Sequence, residues 1–170
     1  TLDSGFATGT GANNNLLTII ALNDGTNRIA GGGLFTLVSG AGVNRIGCVV
    51  PTGIGQGGFN SGSGCNSTVR TITEVDAGTF QMIATGDFTT YNSSTCNRII
   101  KVTSNTGVAG VDATYQANNG TAFNGSVNMN ALDTTSGKLY AVGDFTSFDG
   151  NPRDRLLRIN ADGTLDTSFA

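Results

Sequence analysis

Gly143-Asp144-Phe145-Thr146 decides the fold, because the same four-residue pattern occurs twice earlier in the chain. Gly86-Asp87-Phe88-Thr89 lies 57 residues before it, and Gly33-Leu34-Phe35-Thr36 lies 53 residues before that copy. A pattern that returns at a nearly fixed spacing is typical of a repeat protein, in which each copy is one supersecondary unit. The sequence therefore predicts three structural units of one kind within the 170 residues.

Two further markers keep the same phase as the Gly-x-Phe-Thr pattern. An arginine followed by Ile or Leu occurs at Arg45, Arg98 and Arg155, again 53 and 57 residues apart. An aromatic residue closes each unit, and these residues are Phe6, Phe59, Tyr115 and Phe169, spaced by 53, 56 and 54 residues. The markers predict that residues 1–7 end a preceding repeat and that the units occupy residues 8–59, 60–115 and 116–170.

Each unit has the residue pattern of four short strands and no helix. In the third unit, apolar residues alternate with polar ones over Val127–Ala131, and apolar runs follow at Leu139–Val142, Leu156–Ile159 and Thr164–Phe169. Turn residues such as Asp162-Gly163 separate these runs, as in antiparallel hairpins. The first two units have corresponding runs at Leu16–Leu22, Arg28–Gly33 and Arg45–Val50 with a weak fourth, and at Val69–Val75, Phe80–Thr85, Arg98–Thr103 and Val108–Tyr115.

Four antiparallel strands in a repeat of this length are typical of a β-propeller blade. One blade cannot bury both of its faces alone, so neighbouring blades stack. We expect Phe35, Phe88 and Phe145 to form the wedges between blades. The predicted fold is all-β and β-propeller-like, with three four-stranded antiparallel blades in an incomplete ring and an orphan strand from residues 1–7.

The order of these motifs resembles a known repeat. An apolar strand, a DG-type turn, Gly-x-Phe-Thr, a polar loop, Asn-Arg-apolar and Asp-Gly-Thr-Leu-Asp-x-x-Phe follow one another, most clearly over residues 143–169. This order resembles the delta-60 repeats of predicted β-propeller segments in bacterial surface proteins and phage structural proteins. The resemblance implies a propeller at an extracellular or virion surface and no known catalytic residues.

Three blades are fewer than the roughly four to eight of closed propellers. An uncovered blade face is an aggregation hazard unless it is paired. We therefore expect the partners to be other copies of this chain or the rest of a longer parent chain. Two copies in all would supply six blades. A third alternative is an open stack whose end faces are covered by partners.

Composition excludes several classes of function. The chain has no His, which removes Ser-His-Asp and Cys-His catalysis and His-bound zinc. A net charge of −3 opposes nucleic-acid binding, which needs a basic surface. No apolar run approaches the roughly 18 residues of a membrane span. The sequence predicts no cofactor and no enzymatic activity.

The recurring arginines, Arg45, Arg98 and Arg155, have two interpretations. They are either a ring of anion or glycan contacts, or a structural ion pair or carbonyl clamp inside each blade. Asp112 or Asp166 of the last strand would be the partner of such an ion pair. The structural role is favoured, because packing demands one residue per repeat and a ligand site usually breaks the symmetry.

The polar loops after Gly-x-Phe-Thr are the predicted ligand site of an alternative function, a carbohydrate-binding module. Aromatic rings and amides there would contact a cell-surface glycan, and the candidate residues are Tyr91, Asn92, Phe148, Asp149 and Asn151. A second alternative is a glycoside-processing enzyme, for which Glu74 and Asp133 are the candidate carboxylates.

The cysteines and aspartates carry the remaining expectations. Cys48 lies in an apolar run and is expected to be a buried free thiol, whereas Cys65 and Cys96 are candidates for a disulfide of an oxidising compartment. The loops with Asp149 and Asp154 are the best place for a cation, but no run of acidic residues has the density of a calcium loop. We predict no metal site. The favoured function is a non-enzymatic structural or adhesive module of an extracellular assembly, such as a virion fibre, a decoration protein or a bacterial surface protein.

Overall fold

The computed structural model describes residues 9–25, 27–50, 62–103 and 109–169. Antiparallel sheets dominate these residues. The strands are β1 (Leu16–Ala21), β2 (Ile29–Gly33), β3 (Leu37–Val38), β4 (Ala41–Gly42), β5 (Ile46–Val49), β6 (Val69–Glu74), β7 (Gln81–Gly86), β8 (Thr90–Tyr91), β9 (Ser94–Thr95), β10 (Ile99–Thr103), β11 (Gly110–Val111), β12 (Val127–Asp133), β13 (Lys138–Gly143), β14 (Ser147–Phe148), β15 (Asn151–Pro152) and β16 (Leu156–Ile159), and the helix is α1 (Ala113–Asn118).

Each repeat forms one main sheet, which we call a blade. Blade 1 has the strand order β1-β2-β5, blade 2 has β6-β7-β10-β11, and blade 3 has β12-β13-β16. Every pairing in these sheets is antiparallel. The all-β, propeller-like fold with an incomplete ring is therefore confirmed.

Four regular strands occur in blade 2, but blade 3 differs from the prediction. Residues 164–169 form no regular strand. They join blade 3 through one isolated bridge between Ile159 and Leu165 and through bonds of Asp166 to Lys138 and Arg158. Asp166 explains the difference, since its carboxylate accepts hydrogen bonds from the amide and hydroxyl of Ser168 and turns the backbone away from β16. The predicted orphan strand at residues 1–7, with Phe6, and the fourth strand of blade 1, with Phe59, lie outside the described residues.

A short helix replaces the strand that was predicted to run to Tyr115. Strand β11 ends at Val111, and Asp112 then caps α1 by accepting a hydrogen bond from the Tyr115 amide at 3.0 Å. Asp112 is a strong N-cap residue, which lets a helix of one or two turns form in a sequence without helical periodicity. Tyr115 is buried in this helix rather than on a strand.

A two-stranded hairpin lies between the second and third strands of each blade, where the sequence predicted a polar loop. The three hairpins are β3–β4, β8–β9 and β14–β15. Their turn residues all have positive φ, and they are Ser39-Gly40, Asn92-Ser93 and Asp149-Gly150. Two consecutive positive φ values are the requirement of the tight turn that matches strand twist, and Gly, Asn and Asp tolerate them best.

The core lies between blades rather than within one sheet. One apolar cluster joins Ala30, Ile46 and Cys48 of blade 1 to residues of blade 2 that include Phe88. The second joins residues of blade 2 to blade 3, including Phe145. Phe35, Phe88 and Phe145 are each at most 1% exposed. Among the described residues, no helix is long and apolar enough to cross a membrane.

Candidate functional site

Asn-Arg pairs at the start of the third strand connect one blade to the next. Arg45 Nη1 donates to the Cys65 carbonyl at 3.1 Å, and Arg98 Nη1 donates to the Phe123 carbonyl at 3.2 Å. The preceding residue adds a second bond to the same neighbouring repeat. Asn44 Nδ2 donates to the Ser63 carbonyl at 2.8 Å, and Asn97 Nδ2 donates to the Thr121 carbonyl at 3.0 Å. We call each such pair a blade clamp.

The backbone holds each clamp arginine in an unusual conformation. Arg45, Arg98 and Arg155 have φ values of +70°, +73° and +61°, in the left-handed region that non-glycine residues rarely adopt. Each arginine amide donates to the carbonyl of the Gly-x-Phe-Thr phenylalanine, at 2.7 Å for Arg45 and Arg98 and 3.0 Å for Arg155. These bonds fix the direction of the arginine side chain relative to its own blade.

The clamp corrects the expected partner of the arginines. The acceptor is a backbone carbonyl, one of the two predicted kinds of partner, but it belongs to the next repeat and not to the same blade. Asp112 pairs instead with Lys101 at 3.1 Å, and Asp166 pairs with Lys138 at 2.6 Å and Arg158 at 2.7 Å. Bonds from Lys138, Ser168 and Arg158 hold the pKa of Asp166 well below its ordinary value.

The third clamp arginine has lost this partner. Arg155 is exposed, and its guanidinium makes no hydrogen bond or ion pair within residues 9–25, 27–50, 62–103 and 109–169. Asp154 stands where the other repeats have Asn44 and Asn97, so the amide donor is also missing. Position in the repeat alone therefore does not decide what the arginine does.

A recurring asparagine, which was not among the predicted site residues, also supports every repeat. Asn66 Oδ1 accepts the amides of Thr89 and Thr90 at 2.8 and 3.0 Å, while its Nδ2 donates to Thr89 Oγ1 at 2.9 Å. Asn13 and Asn124 make the equivalent three bonds in blades 1 and 3. The sequence does carry a pattern for this residue, because an asparagine lies 22 or 23 residues before the threonine of each Gly-x-Phe-Thr.

The residues of the predicted ligand loops are part of the framework. Tyr91 and Phe148 are 0% exposed, so neither ring is available as a platform for a sugar. Phe148 packs edge-on against Phe123 with ring centroids 4.9 Å apart. Asn92 and Asp149 accept amide hydrogen bonds from Gly64 and Thr121, both at 3.0 Å. Asn151 donates to the Asp149 carbonyl across the hairpin turn at 3.0 Å.

All three cysteines are free and buried, so the predicted Cys65–Cys96 disulfide is wrong for this structure. Both residues lie next to the hairpin β8–β9. Cys65 is bridged to Tyr91, whereas Cys96 donates its amide to the Thr89 carbonyl. Burial raises the pKa of the Cys48 and Cys96 thiols to about 12 and also raises that of Cys65. The thiols are therefore neutral and shielded.

The inner strands β1, β6 and β12 lie side by side and enclose a polar groove, which we call the axial groove. It has a volume of about 560 Å³ and is lined by Leu17, Thr18, Arg70, Thr71, Ile72, Thr73, Asn128, Met129 and Asn130. Each inner strand has a β-bulge near its start, and the extra residue of each bulge faces the axial groove. These residues are Leu17, Arg70 and Asn128.

An ion pair lies at one end of the axial groove. Arg70 Nε and Nη2 donate to the two oxygens of Asp87 at 2.8 and 2.9 Å. Burial favours the neutral Asp87 carboxyl, but bonds from Arg70 and Ser126 outweigh it and lower its pKa. The equivalent pair in blade 3 is Asn128 with Asp144, at 3.4 Å. The groove thus presents amides, hydroxyls and one paired guanidinium.

The candidate carboxylates of an enzyme have local bonding roles. Glu74 accepts the amide and the side-chain Nδ2 of Asn23 at 2.6 and 2.7 Å, which joins blade 2 to the β1–β2 hairpin. Asp133 accepts the Thr135 amide and the Ser136 hydroxyl in the β12–β13 turn. Among the described residues, no group of three or more Cys, Asp or Glu side chains could hold a metal ion.

The fold and the repeated clamps define a β-propeller-like repeat protein. A family model described as "Domain of unknown function (DUF5122) beta-propeller" matches residues 81–105 and 134–169, which fall in blades 2 and 3. This match supports a β-propeller-like repeat family, while the narrower resemblance to delta-60 repeats stays a prediction. No curated protein and no solved structure matches the chain significantly.

Proposed function

We propose that the chain is a non-enzymatic structural or adhesive module of an extracellular assembly, such as a virion fibre, a decoration protein or a bacterial surface protein. The observation that supports this proposal is the use of the recurring polar side chains. Arg45 and Arg98 bond the backbone of the next repeat, and the asparagines at positions 13, 66 and 124 bond the backbone of their own. Such hydrogen bonds to the backbone are typical of residues that hold a structural framework together rather than of catalytic residues.

The proposed location rests on composition and on the family resemblance. Charged residues are only 12% of the chain, and Gly, Thr, Asn and Ser supply 80 of its 170 residues. A weakly charged, hydroxyl- and amide-rich surface suits a long-lived exterior protein. The buried free thiols give no support to an oxidising compartment, since Cys65 and Cys96 are unbonded.

Surface labelling of the source cells or virions tests the location. Antibodies against the purified chain should bind intact, unpermeabilised particles as strongly as permeabilised ones. Signal only after permeabilisation would contradict an exterior role. In a parallel assay the purified protein should turn over no glycoside or ester substrate, and turnover abolished by Glu74→Gln would contradict the non-enzymatic part of the proposal.

A carbohydrate-binding module is the second candidate, and the axial groove favours it. Thr71, Thr73 and Asn128 offer there the hydroxyl and amide groups that hydrogen-bond sugars. Asn130 is only 7% exposed, and its amide bonds Thr73 and Thr85. A glycan array probed with the purified protein should give hits that Asn128→Ala removes. Asn14→Ala, which changes an exposed asparagine outside the groove, should keep them. An array without hits would contradict this candidate.

A further inference from the structure

The first observation is an exposed apolar face on blade 1. Leu16 and Ile19 of β1 are 47% and 66% exposed. Val69 and Ile72 hold the same positions in β6, where they are 0% and 2% exposed. The difference arises because blade 1 covers the side chains of blade 2, as the approach of Val69 and Ile72 to Gly32 shows. Blade 1 therefore presents a face that is an interface in the other blades.

Blade 3 exposes the opposite face. Leu156 follows Arg155 and is 48% exposed, whereas Ile46 and Ile99, which follow the other clamp arginines, are 0% exposed. Val142 is 39% exposed, and its counterpart Thr85 is fully buried against blade 3. Adjacent blades within the chain contact each other through two different faces. Blade 1 exposes one of these faces, and blade 3 exposes the other. Both faces are exposed, so they do not meet within a single chain.

The polar groups at the two ends are complementary as well. Cys65 donates its amide to the Asn44 carbonyl at 3.1 Å and accepts from Arg45. Ala12 occupies the place of Cys65 in blade 1, since each forms an isolated bridge to the small hairpin of its repeat. In the described part of the chain, the Ala12 amide and carbonyl make no hydrogen bond. Arg155 supplies the missing donor at the other end.

The shape of the blade 1 face also suits an inserted side chain. A recess of about 190 Å³ opens there, with a lining that includes Leu16, Ile19, Ile29, Gly31 and Gly47. Blade 2 has Ala84 and Ile100 at the positions of Gly31 and Gly47. The two glycines leave the space that larger side chains fill in blade 2.

From these four observations we propose that a second copy of this chain docks head to tail, with the blade 3 face of one copy against the blade 1 face of the other. Leu156 enters the recess beside Ile19, and Arg155 donates to the Ala12 carbonyl of the second copy. The inference rests on the proposed structural function and names its partner. Two such contacts close a two-fold ring of six blades, within the range of known propellers.

Native mass spectrometry and size-exclusion chromatography with light scattering test the proposal on the purified chain. At micromolar concentration the protein should have twice the 17.3 kDa chain mass. Leu156→Glu and Ile19→Glu should each be monomeric and keep the native circular dichroism, because both side chains are exposed within one chain. Leu37→Glu, at an exposed apolar position on the small hairpin of blade 1, is the control and should stay dimeric.

Mixing the two monomeric variants gives the decisive result. Ile19→Glu keeps an intact blade 3 face and Leu156→Glu keeps an intact blade 1 face, so the mixture should form a heterodimer with one contact. A face that pairs with itself would not produce this complementation. Monomeric wild-type protein, or a mixture that stays monomeric, would overturn the proposal without touching the surface-labelling result that tests the structural role.

Substitutions at Arg155 and Asp154 should change the dissociation constant of the proposed dimer. Arg155→Ala should raise the dissociation constant at least about a hundredfold, since each of the two contacts in the ring loses a hydrogen bond from a charged donor. Asp154→Asn restores the amide donor of Asn44 and Asn97 and should lower it. An unchanged dissociation constant in Arg155→Ala would contradict the assigned register.

Discussion

Arg98 and Arg155 stand at the same position of successive repeats but differ in the residue before them, Asn97 or Asp154, and in what lies beyond them. Both have a left-handed backbone and donate their amides to the phenylalanine of their own blade. Arg98 reaches the Phe123 carbonyl of the next blade, whereas Arg155 points into solvent. The comparison teaches that a residue's contribution to stability in a stacked repeat depends on the neighbouring blade. This holds even when its own blade gives it the same backbone conformation and the same amide hydrogen bond.

The largest expected contrast is between Phe88 and Phe35. Phe88 lies in the cluster that joins blades 1 and 2, so Phe88→Ala should cost about 3–5 kcal/mol through lost burial and a cavity. Phe35 borders the recess at the open face, where water can enter, so Phe35→Ala should cost about 2 kcal/mol, the burial part alone. Urea unfolding in the Leu156→Glu background measures both. Equal losses would show that Phe88 is not an inter-blade wedge.

The next contrast uses the clamp arginines themselves. In the same monomeric background, Arg98→Ala should lower the free energy of unfolding by about 1.5–3 kcal/mol, because a charged hydrogen bond is lost. Arg155→Ala should change it by less than about 0.5 kcal/mol, as for an ordinary surface substitution. The positive φ is common to both sites, so backbone strain cancels in the difference. A large loss in Arg155→Ala would remove the distinction between the two ends.

A third pair should show no contrast. Asn66 and Asn13 make the same three bonds inside their own repeats, one in the middle of the chain and one at its open end. Alanine at either position should cost about 1–2 kcal/mol in denaturant unfolding. Unequal costs would mean that the asparagine also acts between blades.

The smallest expected effect is a pH dependence at Asp112. The hydrogen bond from the Tyr115 amide and the Lys101 ammonium lower the pKa of Asp112 in the folded protein. Its stabilisation is therefore complete above the unfolded pKa of about 3.9 and is lost as the pH falls through the lower folded value. Asp112→Asn should flatten the fall of the unfolding midpoint below about pH 4. If the unfolding midpoint of Asp112→Asn falls with pH as steeply as that of the wild type, other carboxylates cause the acid sensitivity.

The repeat phase made the blades and the positions of their recurring phenylalanines predictable from sequence. Gly-x-Phe-Thr fixes where the second strand ends, and the following arginine fixes where the third begins. The partner of Arg98 was not predictable in the same way, because it is a backbone carbonyl and carries no residue-type signal. The repeat pattern predicted a partner inside the same blade, either a carboxylate or a carbonyl, whereas the register of stacked blades selects the Phe123 carbonyl of the next blade.

The predicted ligand role of the loop aromatics disagrees with the structure for a different reason. Tyr91 and Phe148 lie in the predicted polar loops, where an aromatic residue suggests a platform for a ligand. The chain instead forms a hairpin there that folds over the entry segment of its own repeat, so both rings enter the core. The helix α1 was missed because it is only six residues long and depends on the Asp112 cap rather than on apolar periodicity.

A crystal structure of the self-associated protein tests most directly whether the contact inside the chain is also used between chains. The account predicts that Leu156 of one copy fills the recess beside Ile19 of another and that Arg155 bonds the Ala12 carbonyl at the distance seen for Arg45 and Arg98. An assembly in which these faces stay in solvent, or in which the blades merge into a continuous sandwich, would contradict it.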